Sequence, residues 1–216
     1  MPDAPPKDTP KSMRTRARIL ECAARLMVEI GYAAASNANI AAAAGLTRGA
    51  MLYHFPTRES LVEALVVQLQ TARAAMLADA AGRAPAGADL AEHAIDSYWA
   101  LLHEPAFIAF AELEAAARTD ASVRALIAAA QAEFDQAQSG DQFSHMLLAG
   151  AGARFQASRD LARFMLEGLA RGSLTYDAGI RAEHLLAVIK RATHMLNRKG
   201  SEQDLWPEDP AGRYAP

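Results

Sequence analysis

The sequence predicts an all-α fold of about nine helices with no sheet. Three observations carry that prediction. Alanine recurs along the whole chain, and it has the highest helix propensity and no side-chain entropy to lose. Apolar residues recur at helical spacing, as at Ile19, Ala23, Leu26 and Ile30. No alternating stretch is long enough for a strand, and no repeat of fixed period is present. With 216 residues, 51% of them hydrophobic, the chain can bury a real core as one large domain or a small one joined to a larger.

The elements follow in order. Residues 1–10 carry four prolines and read as a disordered arm. A helix opens near Ser12, the expected N-cap, and stops at Gly31, where glycine adopts a left-handed conformation cheaply. Two very short helices come next. Ser36 caps the first, over about 37–44; Gly45 turns the chain; Thr47 caps the second, which runs to about Tyr53. Pro56 cannot continue that helix, and Thr57 caps a longer one with Leu61, Leu65, Leu69 and Met76 along one side. Gly82, Pro85 and Gly87 mark a break. A helix over about 89–103 precedes another that starts at Pro105 and runs to about Arg118. Asp120 caps a long segment containing Val123, Ile127, Ala130 and Phe134. The stretch 139–152 is the least legible, with three glycines beside Met146-Leu147-Leu148. Two helices, over about 158–175 and 179–199, close the fold. The expected organisation is an arm (1–10), a helix-turn-helix domain (11–56), a larger domain (57–200) and an extended or disordered tail (201–216).

Charge and motif content narrow the function classes. The net charge is -3, but residues 1–60 carry eight Lys/Arg against five acids, leaving -6 for the remainder. A basic head on an acidic body turns one end toward a polyanion. The lone Cys22 excludes an intrachain disulfide framework and reads as a small buried filler. The first residues lack the apolar segment of a signal peptide, and no apolar run approaches the about 20 residues that span a bilayer, so a cytoplasmic location is expected. There is no Glu-x-x-His, no His-Glu-x-x-His and no cysteine pair, and Gly150-x-Gly152 lacks the third glycine and the preceding strand of a dinucleotide loop. Glu112 and Glu114 sit on different helix faces, a poor acid/base pair. No enzyme activity, cofactor or metal is expected.

The segment from Ser36 to Phe55 carries the strongest signal. Helices this short are unstable alone and need support from longer neighbours. A short helix, a glycine turn and a second helix opening on Thr47, Arg48, Gly49 and Ala50 has the layout of a DNA-reading helix-turn-helix. Small residues let that helix approach a groove, and Arg48 offers a donor fork for guanine or phosphate. Arg14, Arg16 and Arg18 read as a solvated face.

Gly31-Tyr32, Ile40-Ala41 and the string from Ala44 through Gly45, Leu46, Thr47, Arg48, Tyr53, His54, Phe55 and Pro56 to Glu59 resemble the N-terminal domain of tetracycline-repressor-type (TetR) regulators. The resemblance runs without a gap from about Arg14 to Leu65. It implies that Thr47, Arg48, Gly49 and Met51 face the groove and that Tyr53 and His54 meet phosphates. It implies that Phe55 packs the motif onto the first helix, that Arg58 touches the DNA backbone, and that Ser36 binds a phosphate or caps its helix. Asn37 stands where the family has an apolar residue, so it either contacts DNA or marks different local packing. The family's tyrosine falls on Leu52, with Tyr53 one place later; Tyr53 has the donor that leucine lacks.

The resemblance also implies an effector cavity and a dimer. Pocket candidates are His93, Trp99, His103, Phe107, Phe110, Glu114, Phe134 and Phe155. The dimer face is expected from Leu161, Phe164, Met165, Gly168, Leu169 and Gly172 on one helix and Leu185, Leu186, Val188 and Ile189 on the next. Two such pairs make a four-helix bundle across a twofold axis, unless these stripes are intrachain core. The expected function is a homodimeric regulator, commonly a repressor, released from a palindromic double-stranded DNA operator by a small-molecule effector. The alternative is a DNA-binding regulator without a small-molecule ligand.

Overall fold

Thr9, not Ser12, starts the first helix. Its hydroxyl accepts from the Ser12 N–H at 3.2 Å, and Pro10 takes the first helical position, where a missing N–H costs nothing. The computed structural model describes residues 9–139, 153–175 and 179–197. Among them lie nine helices and no strand, as the sequence predicts: α1 (Pro10–Ala34), α2 (Asn37–Ala43), α3 (Arg48–His54), α4 (Arg58–Gly82), α5 (Leu90–Leu101), α6 (Pro105–Ala116), α7 (Ala121–Ser139), α8 (Ala153–Gly172) and α9 (Gly179–Asn197). The expected arm up to residue 8, the segment 140–152 and the tail 201–216 lie outside the described residues.

The caps are local and readable. Ser36 and Thr47 accept from the backbone of Asn39 and Ala50. Thr57 and Ser60 exchange side-chain bonds with each other's N–H, a reciprocal cap at the start of α4. Asp120 Oδ1 accepts from the N–H groups of Ser122 and Val123 and from the Ser122 hydroxyl, which holds its carboxyl below the usual range. Gly31 interrupts α1 with φ 79° and ψ 164°, so the last residues of that helix form a separate turn.

The described residues form two compact units. The first comprises the chain up to Ala75 together with Glu104–Asp135. It takes in more than the expected 11–56 segment, because α6 and the first part of α7 join its core. Ile19, Ala23 and Met27 of α1, Ile40 of α2, Met51 of α3, Leu61, Leu65 and Leu69 of α4, Phe110 and Leu113 of α6 and Val123 of α7 are all buried there. The two seven-residue helices are thus held by packing rather than by their own hydrogen bonds. A buried arginine adds to this unit. Arg73 is 3% exposed; its guanidinium lies 4.0 Å over Phe110 and 4.9 Å over Phe107, and it donates to Gln70, which donates to the Ala130 carbonyl.

The second unit comprises Met76–His103 and the chain from Gln136 onward. Ile95 of α5, Ala162 and Leu166 of α8 and Ile189 of α9 form its core, with Tyr98, Trp99, Leu102, Met165 and Leu186 packed around them. Polar links surround that core. The Tyr98 hydroxyl donates to Glu167 at 2.8 Å, Arg163 donates to the same oxygen at 2.9 Å, and Lys190 meets Asp96 at 2.7 Å.

One reading from the sequence changes. Helix α4 is long and apolar enough to cross a membrane by length and composition. A core helix passes the same test, and Leu61, Val62, Leu65, Val66 and Leu69 are buried in the first unit.

Leu65→Ala is expected to destabilise the first unit by about 2–5 kcal/mol, the range for emptying a packed leucine site. Val67→Ala, at a position 64% exposed, is expected to stay within about 0.5 kcal/mol. Urea unfolding followed by circular dichroism compares the two.

Candidate nucleic-acid interface

Helices α2 and α3 are joined at Gly45, whose φ of 63° is one that side-chain-bearing residues rarely adopt. This places Ser36 at the head of one short helix and Thr47, Arg48 and Gly49 at the head of the other, all exposed. Thr47 uses its oxygen to cap α3, leaving its hydrogen to donate outward. Arg48 makes no hydrogen bond or ion pair with another described residue. At Gly49 a Cβ would meet nothing within 4 Å, so internal packing does not require glycine there. Tyr53 is exposed at the end of α3, and its ring meets that of His54 edge-on at 5.3 Å.

Two of the expected contacts, those of Met51 and Arg58, are corrected by the packing. Met51 is completely buried in the core of the first unit; it holds α3 from within and faces no groove. Arg58 turns inward. Its guanidinium donates to the carbonyls of Ala35 at 2.7 Å and Tyr32 at 3.1 Å, reaches Asn37 Oδ1 at 3.5 Å, and lies 4.7 Å over the Tyr32 ring. Asn37 is half-buried beneath it, so its departure from an apolar residue serves this local packing.

Two residues that sequence reasoning passed over position the motif. Arg16 donates to the His54 carbonyl at 2.6 Å and lies 4.2 Å over the Phe55 ring. It thereby ties the C-terminus of α3 to α1 and occupies the negative end of that helix. The signal was present: Ser12, Arg16, Ile19, Ala23 and Met27 form one helical stripe, and four of the five are buried. Glu112 of α6 accepts from the Tyr32 N–H at 3.2 Å, bonding the backbone where Gly31 breaks α1. No local pattern announces a contact between residues 80 positions apart. The His54 imidazole lies below its ordinary pKa of 6.5, chiefly through burial and secondarily through the Arg16 guanidinium.

The pocket candidates fall in both units. In the first unit Phe107 and Phe110 are buried beneath Arg73, and Glu114 is half-buried. In the second, His93 Nε2 lies 2.9 Å from the Ala80 carbonyl, and Trp99 meets His103 edge-on at 4.7 Å. His103 itself is exposed, with its Nδ1 2.8 Å from the Trp99 carbonyl. The side chains of Phe134 and Phe155 lie outside the described residues.

The dimer candidates divide. Leu161, Phe164, Gly168, Leu185 and Val188 are exposed, Phe164 at 63%. Met165, Leu169, Gly172 and Leu186 are half-buried. Ile189 is corrected: at 5% exposure it belongs to the intrachain core with Ile95 and Leu166.

Residues 19–65 match the profile of "Bacterial regulatory proteins, tetR family". The likeness is confined to the head of the chain. Over 59 residues the chain is 42% identical to the HTH-type transcriptional regulator TtgR of Pseudomonas putida, a match covering 27% of this chain and 28% of that protein. The tetR-family likeness in sequence thus spans little more than a quarter of that curated relative. The fold likeness extends further. A transcriptional regulator from Rhodococcus sp. Rha1 superposes with a TM-score of 0.63 at 20% identity, over 84% of this chain and 95% of that one. The multidrug binding protein EbrR complexed with imidazole does so with a TM-score of 0.59 at 20% identity, over 88% and 98%.

Arg58→Lys is expected to destabilise the first unit by about 1–3 kcal/mol, because one ammonium cannot serve the same set of acceptors; thermal unfolding measures it. His54 gives a pH dependence. Its folded pKa is depressed, so below the ordinary value of 6.5 the unfolded chain binds the proton first. The neutral ring's contribution is intact above that value and is lost as pH falls through it. Wild type is expected to lose more stability than His54→Asn between neutral and mildly acidic pH, as read by melting curves.

Proposed function

We propose that this chain is a DNA-binding transcriptional regulator, a homodimeric repressor released from a palindromic operator by a small molecule. One observation carries the reading: α3 and its cap leave Thr47, Arg48, Gly49 and Tyr53 exposed, while Met51 and Phe55 fix the same segment in a core. A helix held rigidly on one side, with small residues and a donor fork on the other, suits insertion into a major groove. Thr47, Arg48 and Gly49 read or approach base edges. Tyr53, His54 and Ser36 hold phosphates, and Arg58 and Met51 keep the frame in place from behind.

The apolar stripe of Leu161, Phe164, Leu185 and Val188 supports dimerisation through α8 and α9. Exposed leucine, phenylalanine and valine on adjacent helices are costly to leave in water. Two recognition helices then lie about 34–36 Å apart, one turn of DNA. The fold it shares with EbrR, a multidrug binding protein seen with imidazole, supports an apolar or amphipathic small-molecule effector. Such a ligand acts by binding the DNA-competent and DNA-released states with different affinity. The protein works by binding rather than catalysis, and a cytoplasmic location fits that task.

The test is selection of bound fragments from sheared genomic DNA of the source organism, with wild type beside Arg48→Ala and Tyr53→Ala. A palindrome enriched by wild type and lost by both variants is the expected outcome. Enrichment that survives both substitutions sinks the assignment of α3 as the reading helix.

A further inference from the structure

We propose that Arg16 is a positioning residue for DNA reading: without touching DNA, it fixes the rotation of α3 through the His54 carbonyl and the Phe55 ring, and so favours the operator over other duplex. The proposal rests on the regulator reading and adds to it a residue of α1.

Three arginines, Arg14, Arg16 and Arg18, stand near the start of α1. Arg14 and Arg18 are exposed, as a solvated face requires, while Arg16 is half-buried on the stripe of Ser12, Ile19, Ala23 and Met27. Its guanidinium turns inward. One nitrogen donates to the His54 carbonyl at 2.6 Å, and the fork lies 4.2 Å over the ring of Phe55, itself 1% exposed. The polar capacity of this one arginine is thus directed at the end of α3 rather than outward.

That end needs a donor from elsewhere. The last carbonyls of a helix have no partner within it. Beyond α3, Pro56 has no N–H, and Thr57 gives its N–H to the Ser60 hydroxyl. The donor comes instead from 38 positions away, as a bond strengthened by the charge on the guanidinium.

The anchors of α3 explain what that bond controls. Met51 and Phe55 stand four residues apart and are both buried, so they lie one above the other along the helix. Two anchors in a line resist sliding better than rotation about that line. A directional hydrogen bond to the carbonyl beside Phe55 resists the rotation. Thr47, Arg48 and Gly49 turn with α3, and base-edge contacts tolerate only about 0.5 Å and 10–20° of error. Attraction to phosphates is electrostatic and independent of sequence. Loss of the Arg16 bond therefore removes discrimination between sequences and spares general affinity.

The His54 ring reports whether Arg16 is seated. Burial, and after it the Arg16 guanidinium, holds that imidazole below its ordinary pKa of 6.5.

The test compares wild type, Arg16→Lys and Arg16→Gln, each below its melting temperature, on two fluorescein-labelled duplexes over a range of salt. One duplex carries the sequence that wild type enriches from genomic DNA, and the other carries it scrambled. Arg16→Lys keeps the charge and the long stem but not the planar fork, so it serves where Arg16→Gln does not fold. Both variants are expected to bind the enriched duplex about tenfold more weakly, on the scale of one mismatched base pair. Affinity for the scrambled duplex is expected to stay within about twofold, with the slope of log affinity against log salt unchanged. In Arg16→Gln the His54 ring signals, followed by NMR, are expected to titrate closer to the ordinary value. A contribution to stability alone moves neither the ratio between the duplexes nor the salt slope. Arg16→Lys that binds as wild type does, with Arg16→Gln losing about 0.9 of the salt slope on both duplexes, makes Arg16 a phosphate contact and overturns the positioning role. An unchanged ratio between the duplexes overturns it too, as does a His54 titration indifferent to Arg16→Gln. In these three outcomes wild type still discriminates and the regulator reading stands. Wild type that enriches no sequence overturns the regulator reading and the positioning role together.

Discussion

Helices α2 and α3 have seven residues each, too few to persist in water without help. Everything the head can do depends on how they are held, and the Arg58 guanidinium is central to that. From the start of α4 it gathers the carbonyls of Tyr32 and Ala35 and the side chain of Asn37. These are the groups left open where α1 breaks and α2 begins. Its planar fork meets several acceptors at once while stacking on Tyr32. Glu112 holds the same break from α6, and Arg16 holds the far end of α3. Three charged side chains therefore do from outside what short helices cannot do for themselves.

This arrangement separates two jobs within one short segment. The inner face of α3, through Met51 and Phe55, is committed to the core. The outer face includes two residues with no internal duty. Arg48 has no partner among the described residues, and Gly49 has open space around it. A surface of this kind retains its polar capacity for something other than the protein itself, and its rigidity means that little order must be gained on binding.

Much of this was legible in advance, for physical reasons that differ by residue. Caps and turns are local, so Ser36, Gly45, Thr47, Thr57 and Asp120 could be read from neighbours a few positions away. The start of α1 was misplaced because two capping residues, Thr9 and Ser12, lie close together and only the first is followed by Pro10. The resemblance placed Met51 toward the groove, and so short a helix has too few turns for a periodicity to settle which side is buried. Arg58 was expected at the DNA backbone because the resemblance implied it; its inward turn depends on carbonyls far away in the chain. Arg16 and Arg73 both sit on buried helical stripes, so periodicity should have outweighed charge for each. Aromatic type alone says nothing of where a side chain is used. Phe107 and Phe110, for instance, serve to cover Arg73.

The break in α1 has a consequence for how this sequence can change over time. Gly31 has a positive φ, and a Cβ there would lie 3.2 Å from Glu112 Oε2. The same oxygen accepts from the neighbouring Tyr32 amide. Replacing the glycine strains the backbone and crowds the carboxylate; shortening the carboxylate relieves the crowding but abandons the amide. Neither position can drift first without loss, so two sites far apart in the chain are bound to be inherited as a pair.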